Sequence, residues 1–283
     1  NLAAGVIRHG AAVPAHLGRH AGFERNAFTA LNTAFLHDGA LIIVPRDTRL
    51  AAPVHLLFVA TRKHAASYPR CLVIAESGSA VTVVEDFVAL QNEAYFTNAV
   101  TEMALAANAE VHHVRVQCDG AEAFHIANCA VSLAQASRYH SVSVALGARI
   151  SRHNLGVLLA AEGAECSIDG LALIGGGQLA DTHTLIDHAL PQGKSRQLHK
   201  CIVDGAARAV FNGNIMVRPG AQRTDSSQSS RNLLLSDKAR VDTKPQLEIF
   251  ADDVKCAHGA TVRQLDVDEV FYLKSRGLSN TAA

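Results

Sequence analysis

Short blocks of apolar residues, alternating with polar ones or run together, follow each other along most of this chain. Blocks of this length and β-branched content predict strands. They fall at Ala40–Val44, Val54–Ala60, Cys71–Ala75, Ala80–Val84, Ala94–Leu105, Glu110–Cys118, Ala123–Leu133, His140–Ala145, Asn154–Ala160, Glu165–Ile174, Asp181–His188, Gln197–Val203, Val210–Val217, Asn232–Leu235 and Gln246–Ile249. No strong amphipathic helix interrupts them between about 70 and 265. That excludes a Rossmann or TIM pattern, which needs helices between strands. Two helices are predicted outside this region. A period near 3.6 over 23–36 (Phe23, Ala27, Phe28, Leu31, Ala34, Phe35) predicts one, followed by a turn at His37-Asp38-Gly39. The other runs over 266–277, with Asp266 as N-cap, Asp268 and Glu269 in the first turn, Lys274 and Arg276 near the end and Gly277 at C′.

The corners carry a second regularity. A small residue followed by Ala recurs at Gly78-Ser79-Ala80, Asn108-Ala109, Gly147-Ala148, Gly163-Ala164, Gly205-Ala206, Gly220-Ala221, Lys238-Ala239 and Gly259-Ala260, with steps of 16 residues from 147 to 163 and 15 from 205 to 220. Repetition of strand and tight corner is the mark of a parallel β-helix. An antiparallel sandwich also has many short strands, but hairpin dipeptides are sparse for so many of them. The expected organisation is an N-terminal segment over 1–50, a β-helix core over 51–265 and the start of a C-terminal helical segment over 266–283.

Composition adds limits. With 283 residues, 48% of them hydrophobic, the chain can bury a sizeable core. Basic and acidic residues balance at 26 each, so no global field draws nucleic acid or an acidic membrane. The six cysteines, at 71, 118, 129, 166, 201 and 256, form no C-x-x-C pair. Dispersed thiols without a signal peptide read as a reduced, cytoplasmic protein, and no apolar run is long enough to span a bilayer. The chain opens on Asn1 instead of Met, as expected of a fragment or processed product.

The most chemically suggestive stretch is 251–261. Cys256 and His258 are two residues apart, so on a strand they share a face with Asp252 and Val254, while Lys255 and Ala257 take the other. A thiolate and an imidazole can contribute to a soft-metal site, though two ligands do not complete one. A buried thiol beside a solvated histidine is the plain alternative. Lys255 or a bound metal would favour the thiolate. The adjacent acids Asp252 and Asp253 suit acid–base chemistry on a polysaccharide, but neighbours on a strand point to opposite faces. His16 and His20 share the i, i+4 spacing of a helical pair but lack the acid of H-E-x-x-H. His183 and Asp187 share one face with His188 opposite, which suits a hydrolase-like His/Asp pair or, more commonly, a ladder along a solvated face. Gly175-Gly176-Gly177 is a flexible corner without the frame of a phosphate loop.

From about Asp181 onward the chain resembles the SufB/SufD family of iron–sulfur cluster assembly proteins. The resemblance rests on 182–188 (Thr-His-Thr-Leu-Ile-Asp-His), Ser195-x-Gln197-x-x-Lys200, 210–217 (Val-Phe-Asn-Gly-Asn-Ile-Met-Val), 220–225, 232–236, 244–249, 252–261 and 271–277, with a looser match at 31–40. The Cys-x-His-Gly-Ala form at 256–260 is that of SufD-type members. The resemblance implies a mainly β chain with a right-handed parallel β-helix core and short flanking helices. It also implies a non-catalytic scaffold role in a SufBCD-type complex. There a SufB-type subunit pairs with this one, and a transient iron–sulfur cluster, or iron, forms at their interface. By motif match Cys256 and His258 are the metal- and cofactor-binding residues, His258 the stronger candidate, and no cofactor is expected in the isolated chain. A SufC-type ATPase binds the family mainly through a C-terminal helical segment beyond Gly277, most of which is expected to be absent from a chain ending at Ala283. Open strand edges invite pairing, so the isolated chain is expected to be a homodimer. A β-helix polysaccharide lyase or hydrolase is the alternative reading, weakened by the few aromatic residues available to stack on sugars.

Overall fold

The computed structural model describes residues 2–8, 12–24, 26–37 and 39–279. The turn residue Asp38 and the last four residues of the expected C-terminal segment lie outside the described residues.

The strands form two sheets, one of nine and one of eight, and every pairing is parallel. One sheet runs from Gly39–Val44 to Arg240–Ile249 and the other from Val54–Ala60 to Val254–Gln264. From Phe96–Leu105 onward the chain alternates between them, so each strand stacks on the strand two places earlier. Ile150 lies beside Leu179 and Leu179 beside Arg208, a step of 29 residues per coil. The corner spacing near 15 is therefore half a coil. The result is a parallel β-helix of about eight turns, the architecture the corner pattern predicted. Valines, leucines and isoleucines project inward between the sheets (Val73, Val83, Met103, Leu155, Ile186 and Ile215 are all buried) and form one continuous core.

The corner chemistry has a backbone cause. Gly78, Asn108, Gly163 and Gly205 all have left-handed φ between 60° and 71°, which Gly and Asn adopt most cheaply. The alanine after Asn108 or Gly163 then turns into the core, Ala109 and Ala164 both being buried. Gly220 and Lys238 turn without a left-handed φ, and Gly259-Ala260 departs further. It lies inside the strand Val254–Gln264 and is no corner. At Gly147 the constraint is space, because a Cβ there would sit 2.2 Å from the Asp119 carbonyl oxygen. Gly147→Ala is expected to cost about 1–3 kcal/mol, as overpacking does. Gly163→Ala, where nothing lies within 4 Å, is expected to cost only the left-handed penalty of about 1–2 kcal/mol. Urea midpoints of the two variants check this ordering.

Charge supports the coil register on the outer face. Glu110, Arg138, Glu165, Lys194, Asp225 and Lys255 occupy successive rungs of one column and alternate in sign. Lys194 Nζ lies 2.8 Å from Glu165 and Arg138 Nη2 3.7 Å from Glu110. Each exposed pair contributes little, but a slipped register would separate the opposite charges.

The N-terminal helix departs from expectation. It spans only Ala27–Ala34, capped by Asn26, whose side chain accepts from the Phe28 and Thr29 amides. Its buried residues are Thr29 and Asn32, while Phe28 and Phe35 of the predicted apolar face remain exposed, as does Phe23 ahead of the helix. Polar contacts explain the inversion. Asn32 Nδ2 donates to the carbonyls of Asn98 and Pro69, and Asn128 Nδ2 donates to Thr29 Oγ1. The C-terminal helix, Val267–Ser275, follows its predicted caps. Asp266 accepts from the Asp268 amide at 2.8 Å and Gly277 takes φ of 93°. Among the described residues no helix is long and apolar enough to cross a membrane.

Candidate functional site

Val254–Gln264 is the last strand of its sheet and Arg240–Ile249 the last of the other. Among the described residues each keeps one unpaired edge. The orientation of the terminal strand follows from its neighbour. In Thr224–Leu234, residues 224, 226, 228, 230 and 232 are buried and so point inward. Cys256 pairs in register with Ser226 and His258 with Gln228, so both project from the inward face of the final coil. Lys255 and Ala257 leave from the outer face, as the alternation predicted. No further coil covers this end among the described residues. Cys256 is half-buried against the core and His258 is exposed.

Asp252 and Asp253 are not part of this face. Both are exposed and precede the strand in a bend, which corrects the expectation that Asp252 shares the face of Cys256 and His258. Asp253 works through its backbone: its N–H donates to Gln222 Oε1 and its carbonyl accepts from the Arg223 amide. That is a corner role.

Beneath the pair run two polar columns. Ser226 Oγ lies 2.6 Å from Ser195 Oγ, which lies 2.9 Å from His188 Nε2. This column rises to Cys256. Gln228 Nε2 donates to Gln197 Oε1 at 2.7 Å, and Gln197 Nε2 donates to Thr184 Oγ1 at 2.9 Å. This one rises to His258. Gln228 Oε1, one strand below His258, is buried without a hydrogen-bond partner. Across the lumen Thr243 Oγ1 donates to Ser230 Oγ at 3.0 Å. Burial lowers the His188 pKa to about 4, which keeps its imidazole neutral. Burial pushes the Cys256 thiol up, and the Asp225 carboxylate adds to this, against a backbone hydrogen bond with Ser226. Lys255 does not relieve it, because it projects outward and acts on Asp225. The expected help from Lys255 is therefore missing, and an incoming metal would have to displace the thiol proton itself.

A thiol and an imidazole on one uncovered face, with Cα atoms ~6.7 Å apart from twice the strand rise, supply two donors to a soft metal. The other expected clusters resolve as structure. His183 Nε2 lies 2.9 Å from Asp181, and Asp187 holds Arg218 through both oxygens, on the solvated face as predicted. His188 faces inward. His16 and His20 stack at 5.5 Å, but the short helix Ala12–His16 ends at the first of them and His20 lies in a bend beyond it. All six cysteines are free thiols.

The inward polar residues were missed by pattern reading, which sends polar side chains out. Thr224-x-Ser226-x-Gln228-x-Ser230-x-Asn232 has the period of a strand, and that alternation was the available signal. A charged zone lies deeper in the lumen. Glu85 accepts from Thr101 Oγ1 at 2.6 Å and sits 3.1 Å from His113 Nε2. Arg115 Nη2 meets His125 Nε2 at 2.6 Å, which leaves the His125 proton on Nδ1, 2.8 Å from Asp119. Burial opposes ionisation of Asp119, but His125, Tyr95 and Gln117 hold its pKa down at about 2.

Fold and site together define a parallel β-helix whose open terminal coil displays a thiol and an imidazole. Residues 58–283 match the SufBD core domain of the SUF system for FeS cluster assembly, and residues 2–56 match the SufBD protein N-terminal region. The chain belongs to the SufBD family of the SUF iron–sulfur cluster assembly system. It is 38% identical over 265 residues to the iron–sulfur cluster assembly protein SufD of Escherichia coli, covering 92% of this chain and 62% of that protein. It is 45% identical over 263 residues to an iron–sulfur cluster assembly SufBD family protein of Synechocystis, covering 89% and 58%. To the chloroplastic protein ABCI7 of Arabidopsis thaliana it is 35% identical over 262 residues, covering 89% and 55%. The chain thus spans about three-fifths of the length of these curated relatives.

Proposed function

We propose that this chain acts as a non-catalytic scaffold of a SufBCD-type complex. Its open terminal coil pairs with a SufB-type subunit, and Cys256 and His258 give two ligands to a nascent cluster whose other ligands come from that partner. The observation that carries this reading is the placement of both residues on the inward face of a coil that nothing covers among the described residues. Two unpaired strand edges beside them supply backbone donors and acceptors for a second chain. The terminal coil and its flanks also expose apolar side chains, Ile249, Phe250, Val262 and Leu265, with Val262 on the same face as His258. In this reading Gln228 Oε1, buried without a partner one strand below His258, accepts from the His258 ring once iron is bound and fixes its tautomer. A SufC-type ATPase completes the complex in this reading.

Co-expression with a SufB-type subunit and a SufC-type ATPase tests the pairing. The untagged partners are expected to co-purify with the tagged chain, and Val262→Arg is expected to reduce recovery of the SufB-type subunit about tenfold or more through one buried unpaired charge. Equal recovery from both would remove the terminal coil as the interface. Alone, the chain is expected to use the same edges to form a homodimer, measured by light scattering across a concentration series.

A further inference from the structure

The outer face of the eight-stranded sheet carries a cluster that the scaffold reading does not use. Glu110 and His112 lie on Glu110–Cys118 and His140 lies on the neighbouring strand Arg138–Ala145. His112 and His140 are partners in register, their rings stacked at 4.8 Å and 14°. Glu110 Oε1 lies 3.0 Å from His112 Nε2. One donor atom from each of the three residues falls within 4.8 Å of the other two. Donors around a tetrahedral zinc at ~2.0–2.1 Å stand roughly 3.3 Å apart, so a small rotation about the side-chain bonds brings all three into range.

The surroundings support a site beyond a stacked histidine rung. Arg49 Nη2 and Arg138 Nη2 both approach the other carboxylate oxygen, Oε2, at 3.2 and 3.7 Å. They hold the carboxylate with Oε1 turned toward the imidazoles, as outer partners orient a metal ligand. The cluster is open to solvent, His112 being about half exposed, which leaves room for a water as fourth ligand.

We propose that Glu110, His112 and His140 form a surface site for a divalent transition metal of the zinc class, held by two imidazoles and one carboxylate. The set is rich in nitrogen and oxygen and lacks sulfur, which favours borderline ions over Cu(I) or a cluster. The site sits on the outer sheet face, far along the β-helix from the terminal coil, and stands independently of the interface proposed above.

Zinc titration of the metal-stripped chain by calorimetry, in the Cys256→Ser/His258→Ala background, isolates it. One equivalent is expected to bind. Adding His112→Ala and His140→Ala should abolish that equivalent, and Glu110→Gln should weaken it about tenfold or more. In the same background Co(II) should give visible bands without a thiolate charge-transfer band, and NMR should show the ring signals of His112 and His140 shifting with added zinc. Binding that survives the double histidine replacement, or no binding in the parent, would overturn the assignment. The three side chains are on the surface, so an unchanged circular dichroism spectrum confirms that the variants fold.

Discussion

Replacing Glu102 with alanine is expected to destabilise the fold by about 3–5 kcal/mol, because it leaves a charge buried without its partner. The Arg70 and Glu102 side chains are 1% and 0% exposed, with Arg70 Nη2 2.6 Å from Glu102 Oε1. The same carboxylate accepts from the backbone amides of Gly18, His20 and Ala21 at 2.8, 3.0 and 3.0 Å. It therefore ties the N-terminal segment to the core. Arg70 also donates to Asn32 Oδ1 and Thr33 Oγ1, so the same pair anchors the helix over 27–34. Chemical unfolding should show a large fall in midpoint, and limited proteolysis should cut first near residues 18–21. Arg70→Met/Glu102→Leu together should recover part of the loss, since a well-packed apolar pair often replaces a buried ion pair at little cost, while the Gly18, His20 and Ala21 amides stay unpaired. Glu165→Ala, by contrast, removes an exposed partner of Lys194 and should change stability by less than about 1 kcal/mol. The pH dependence has a definite sign. Burial opposes ionisation of Glu102, but Arg70 and the amides of Gly18 and Ala21 overcome it and hold the pKa below the ordinary value. Its contribution is present above the unfolded-state pKa of about 4.3 and is lost as pH falls through the depressed folded value. A Glu102→Gln variant should flatten the stability profile in that range.

In a reconstituted complex, His258→Ala and Cys256→Ala are each expected to reduce cluster formation about tenfold or more while leaving subunit pairing intact. Losing a ligand should cost at least the 10–100-fold that losing an outer partner of a ligand costs. The half-buried thiol and the exposed imidazole carry little of the core, so stability should stay within about 1 kcal/mol for His258→Ala. Absorbance of the assembled cluster and co-purification of the SufB-type subunit separate the two effects. Cluster yield unchanged in both variants would defeat the ligand assignment. Gln228→Leu offers a finer probe: Cys256 and His258 remain, but the acceptor proposed beneath His258 is gone, so a smaller loss is expected with normal pairing.

Much of the architecture was legible locally. Glu110–Cys118 and Glu165–Ile174 have their predicted bounds, because β-branched blocks ended by turn residues report on short-range sterics. Asp266 and Gly277 marked the last helix for the same reason, since caps act within one turn. The strand Thr224–Leu234 shows the limit. Only its apolar end was read as strand, because its inward positions are serine, threonine, glutamine and asparagine, which local preference assigns to loops. The helix over 27–34 failed in the opposite sense. Its apolar stripe was plain, yet Asn32 finds the Asn98 and Pro69 carbonyls 66 and 37 residues away, and those bonds turn the polar edge inward.

By itself, then, the sequence determined that the chain is a stack of strands and small-residue corners, which family it resembles, and that Cys256 and His258 lie on one side of a strand. The tertiary structure decided which residue stands on which, and so what each polar side chain meets. That choice rests on backbone hydrogen bonds between residues about 29 positions apart, beyond any local period. Only this stacking sets Cys256 over Ser226 and His258 over Gln228, leaves their face uncovered at the end of the helix, and draws Glu110, His112 and His140 together on its side.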